Sequence, residues 1–72
     1  MNNSLKLLDV VALTENLPEY ALYRGQVGTI VEILAPDIYE VEFSDDEGQT
    51  YVMRALGADQ LMVLHYHLLE AA

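Results

Sequence analysis

His65 and His67 flank Tyr66 near the end of the chain, and they are its best candidates for metal chemistry. On an extended strand, residues two apart point the same way, so both imidazoles could reach one ion, with Glu70 as a third ligand. A zinc site needs three or four convergent ligands, and the chain has no other histidine and no cysteine. The expectation is no metal site and a surface pair that titrates near neutrality. Asp45, Asp46 and Glu47 share an expected turn, but the Asp-x-Asp-x-Asp-Gly spacing of a calcium loop is missing. Ser4 and Ser44 lie in no glycine elbow and beside no histidine in sequence, so nucleophilic catalysis has no support. Gly25-Gln26-Val27-Gly28 lacks the lysine and the helix of a phosphate loop. Glycosidase carboxylates sit in a pocket that desolvates one of them, and a chain of 72 residues leaves no room for such a cleft. The expectation is a protein that is not an enzyme and carries no cofactor.

The remaining candidates are binding residues. Glu32, Glu40 and Glu42 read as one acidic outer face for Lys or Arg of a partner. Tyr20 and Tyr23, with Leu22 between them and Arg24 beside them, precede a glycine-rich turn, and tyrosine suits interfaces because its apolar ring ends in a hydrogen-bonding tip. Met62, Leu64 and Tyr66 alternate outward if Leu61 and Val63 face in, and with Leu68 and Leu69 they form an apolar strip at an edge. Such an edge invites another chain, including a second copy as a homodimer.

These groups need a scaffold that 72 residues can supply. Without cysteines there is no disulfide framework, so a sheet that protects its edges, or association, must provide stability. Hydrophobic residues make up 53% of the chain, more than a small core can absorb, and the surplus points to an interface. Twelve Asp and Glu against three Lys and Arg give a net charge of −9, which repels phosphate backbones and anionic lipid and favours basic partners. No apolar run approaches the roughly 18 residues that span a bilayer. Met1 to Leu8 carry one lysine and no run of signal-peptide length, so the expected location is cytoplasmic.

Five short strands are expected, at Leu7 to Leu13, Thr29 to Leu34, Ile38 to Phe43, Gln49 to Leu56 and Leu61 to Leu64, with a 3-10 turn at Gly57 to Gln60 and a loop punctuated by Asn16 and Pro18 that could carry one helical turn after Pro18. Tyr39, Val41 and Phe43 alternate with Ile38, Glu40 and Glu42, which makes the first set the inner face. Ile30 and Ile33 stand three apart, so a bulge or bend between them is needed for both to face inward. Gly28 allows close backbone approach at that bend. The fold class is all-β, a small antiparallel five-stranded barrel, with residues 1–6 as a flexible N-terminus, 7–66 as the barrel and 67–72 as a tail.

Arg24-Gly25-Gln26-Val27-Gly28-Thr29-Ile30-Val31 resembles the Gly-x-x-Gly-x-Val segment of KOW-type and other SH3-like barrels. The longer pattern, from Leu7-Leu8-Asp9-Val10-Val11 through Leu17-Pro18-Glu19-Tyr20, Tyr39 to Phe43 and Gln60 to Leu64, resembles a family of short, often cyanobacterial proteins catalogued as a domain of unknown function. The resemblance implies an SH3-like barrel, in which aromatics of the loop holding Tyr20 and Tyr23 often bind ligands, and it implies no catalytic residues. The function expected is protein binding, as an accessory or antitoxin-like subunit for a basic partner or as a homo-oligomer. The other reading is a KOW-like module on the ribosome or RNA, for which Arg24 is the one basic residue in place.

Overall fold

The computed structural model describes residues 5–45, 47 and 49–64, and they form one antiparallel five-stranded sheet. The strands are β1 (Val10–Leu13), β2 (Val27–Ala35), β3 (Ile38–Ser44), β4 (Thr50–Gly57) and β5 (Leu61–Val63). The described residues hold two 3-10 turns: Pro18–Tyr20, between β1 and β2 where the sequence left room for a helical turn after Pro18, and Ala58–Gln60, which joins β4 to β5 as expected. Pro18 starts the first turn with its φ already set, and Ala21 ends it in the left-handed region at φ 58°.

The strand order is β4-β3-β2-β1-β5, so the last two strands in sequence occupy opposite edges. On a flat sheet those edges would stand roughly 19 Å apart. The four Cα steps from Gly57 to Leu61 span at most about 14 Å, so the sheet must coil to bring its edges together at this corner. Hydrogen bonds do not complete the closure, and among the described residues β4 and β5 share no ladder. On β1, Thr14 N–H donates to the Gln60 carbonyl and Val10's carbonyl accepts from Leu64 N–H, which sets the bonded pairs at 60, 62 and 64. Leu61 and Val63 therefore turn their backbone groups away from β1. Leu61 N–H is taken by Ala58 O, while Val63 N–H and the carbonyls of Leu61 and Val63 face the open side.

The coiled sheet encloses a core to which every strand contributes. Phe43, Leu13, Leu22, Ile30, Val11 and Val41 are its largest fully buried side chains. Tyr39, Val41 and Phe43 are all buried, as their alternation requires. Leu5 joins the core from ahead of β1, before the boundary expected at residue 7. The bend expected in β2 is a register shift between Ile30 and Glu32, after which Ile33 pairs with Tyr39 and so shares the face of Ile30. Ile33 nevertheless remains half exposed, because β2 runs past the core at that end. Gly28 sits directly opposite Phe43, where the neighbouring strand β3 crowds it. A Cβ there would lie 2.8 Å from Val41 Cγ1 and 2.9 Å from both the Glu42 carbonyl oxygen and Phe43 Cδ1.

Candidate functional site

The binding residues suggested by sequence fall into three groups, the first and third of which meet at Met62. The first is the outer face of the sheet. The register places Glu32 directly opposite Glu40, and Thr29 opposite Glu42, which in turn faces Met53. Glu40 and Glu42 are half-buried and Glu32 is exposed. Directly opposed residues on one face bring their Cβ atoms within roughly 5 Å, where like charges destabilise a sheet. No hydrogen bond or ion pair to Glu32 or Glu40 relieves this repulsion among the described residues. Val27 and Met53 are exposed on the same face, as is Met62 across β1.

The second group lies in the segment before β2. Tyr23 and Arg24 are exposed, and their backbone N–H groups donate to Gln26 Oε1 at 3.1 Å and Asn16 Oδ1 at 2.9 Å, which fixes the loop while leaving both side chains available. Tyr20 is committed elsewhere. Its ring lies under the Arg54 guanidinium, with Cζ 4.2 Å from the ring centroid. Arg54 pairs with Val41 and so shares the inner face of the sheet. The sequence reading missed it, although its place two residues from both Val52 and Leu56 gave the parity that puts all three on one face.

The third group surrounds β5. Met62 points outward at 52% exposure and Leu64 is half-buried, while Leu61 is buried and Val63 packs against the core. Tyr66, His65 and His67 lie outside the described residues. Beside β5 opens a groove walled by Leu5, Ile38, Ala58, Leu61, Met62 and Val63, and among the described residues Asp37 and Asp59 are its ionisable lining residues. Asp37 holds φ 64° in the β2–β3 turn, and its carbonyl accepts Ala58 N–H at 2.9 Å, which ties that turn to the second 3-10 turn. The same turn is braced from β1, since Thr14 Oγ1 donates to the Asp59 carbonyl at 3.1 Å. Gln60 Nε2 adds a bond to Glu15 Oε2 at 2.8 Å. The bonds reach only the backbone of the two aspartates, and neither carboxylate has a partner among the described residues.

The acidic turn after β3 is a closed local structure. Asp45 Oδ1 accepts from Glu47 N–H at 2.9 Å and Gln49 N–H at 3.0 Å, which is what a short polar side chain does to hold a turn. Among the described residues no group of three or more His, Cys, Asp or Glu could hold a metal ion. Among them also no helix is long and apolar enough to cross a membrane.

The family model described as "Domain of unknown function (DUF4926)" matches residues 7–63, and the chain belongs to that family. No curated protein and no solved structure matches the chain.

Proposed function

We propose that this DUF4926 domain is a non-catalytic protein-interaction module whose outer sheet face docks a basic protein partner. The Glu32–Glu40 pair carries the reading. Two carboxylates placed opposite each other without compensation cost stability, and a Lys or Arg from outside turns that cost into attraction. Exposed Val27, Met53 and Met62 around the acidic rows supply apolar contact area, the combination that interfaces use. The net charge of −9 sets the sign of the partner and speeds its encounter. It also disfavours a homodimer through this face, since two copies would bring the same carboxylates together. The module works in the cytoplasm as an accessory or antitoxin-like subunit that covers a basic surface, and it performs no reaction of its own.

Co-purification from the native host tests the reading. The wild-type chain is expected to retain a basic protein in stoichiometric amount, identified by mass spectrometry, and the Glu32→Lys/Glu40→Lys variant to lose it. A wild-type chain that light scattering finds alone and monomeric contradicts it, as does a partner held equally by the variant.

A further inference from the structure

A second surface, which meets the Glu32–Glu40 face at Met62, has the features of a strand acceptor. The alternation along β5 leaves Val63 N–H and the carbonyls of Leu61 and Val63 directed away from β1, and no described strand pairs with them. An unpaired row of this kind is a template for another strand. The groove runs along the same edge. Its wall is mostly apolar, and it is framed by the two turns that the Asp37 carbonyl and Ala58 N–H tie together. We infer that the free edge of β5 accepts an extended segment of another protein as an added strand, one in which apolar residues alternate with lysine or arginine.

The geometry and the charge point to the same occupant. In strand addition, main-chain hydrogen bonds supply affinity and pockets for alternate side chains supply selectivity. An added strand presents every second residue to one side, so its apolar set meets Leu5, Ala58 and Leu61 while the remaining set faces the rim. Among the described residues, the rim carries Asp37 and Asp59 with unpartnered carboxylates, and no lining residue is a cation. A segment of this chain from a second copy comes from a molecule with twelve acidic and three basic residues, so charge favours a basic partner over self-association.

The test uses the full chain and a fluorescein-labelled eight-residue peptide of alternating lysine and valine, with alternating glutamate and valine as the control. Fluorescence anisotropy is expected to show saturable binding of the Lys-Val peptide only. Asp37→Asn/Asp59→Asn is expected to weaken it about fivefold, the scale of two partly exposed ion pairs. Glu32→Gln/Glu40→Gln is expected to leave the affinity within about twofold. Val63→Pro, which removes the outward donor, is expected to abolish binding, and a urea melt of the same sample shows whether it folds; if it does not, the aspartate pair decides. The inference is overturned by absence of binding, by equal binding of the glutamate peptide, or by equal losses in the two carboxylate variants, which would mark diffuse attraction. Weakening by Glu32→Gln/Glu40→Gln alone overturns it while leaving the outer-face reading intact. A dimer in sedimentation that the peptide disperses overturns it in favour of a second copy.

Discussion

Eight residues of β4 run along one edge of the sheet, and three residues of β5 form the other. Length alone would make β4 the more hazardous edge, since a long unpaired strand is a ready template for aggregation. The structure protects the long edge and leaves the short one accessible. On β4 the inner face carries a charge at its middle, Arg54, and the first 3-10 turn lays Tyr20 beneath it. A charge pointing inward from an edge strand blocks a neighbour that would bury it, and the aromatic ring offsets part of its cost. On β5 the inner positions are Leu61 and Val63, wholly apolar, and the groove runs beside them. Edge protection here depends on side-chain chemistry more than on strand length, and the accessible edge is where an interaction module would keep one.

The largest effect tests whether β5 is an anchored strand or a loose end. Leu61→Ala removes a side chain buried in the core and is expected to cost about 2–4 kcal/mol. A 72-residue domain has roughly 4–11 kcal/mol in total, so a urea titration should show a greatly lowered midpoint. A change under about 0.5 kcal/mol, the level of ordinary surface substitutions, means β5 is not held by the core.

Gly28→Ala probes β2, the middle strand between the two edges. Its methyl would meet Val41, Phe43 and the Glu42 carbonyl at under 3 Å, so a loss of about 1–3 kcal/mol is expected in the same assay. Arg54→Thr then removes the block on β4. The stack should cost only about 0.5–1 kcal/mol. The telling result is a concentration-dependent rise in mass by light scattering, absent from the wild type. The smallest effect belongs to Ala21→Gly, which relieves the left-handed residue ending the turn that covers β4. It is expected to raise stability by about 0.5 kcal/mol in thermal melts, provided the turn is rigid.

The parts of this comparison legible in the sequence are those set by local periodicity. Strand β3 read correctly because Tyr39, Val41 and Phe43 alternate with glutamates, and Gly28 drew notice because a glycine inside a strand pattern implies close approach. The inward Leu61 and outward Met62 followed from the same parity. The open seam was not legible, because whether β4 meets β5 depends on how far a coiled sheet closes, a property of all five strands together. The opposition of Glu32 and Glu40 needed the register across a bulge, which shifts the count by one between Ile30 and Glu32. Tyr20 was expected to be available to a partner, and its stacking on Arg54 joins residues 34 apart in sequence that no local pattern links. The groove joins Leu5, Asp37, Asp59 and β5, four stretches that only the tertiary fold brings together.

Residue-resolved amide hydrogen exchange on the full chain, with and without saturating Lys-Val peptide, tests the difference between the edges most directly. Slowing of Val63 N–H by tenfold or more, with Met53 and Ala55 on β4 unchanged, is the predicted result. Slowing along β4 with none at Val63, or equal slowing at both edges, would contradict it.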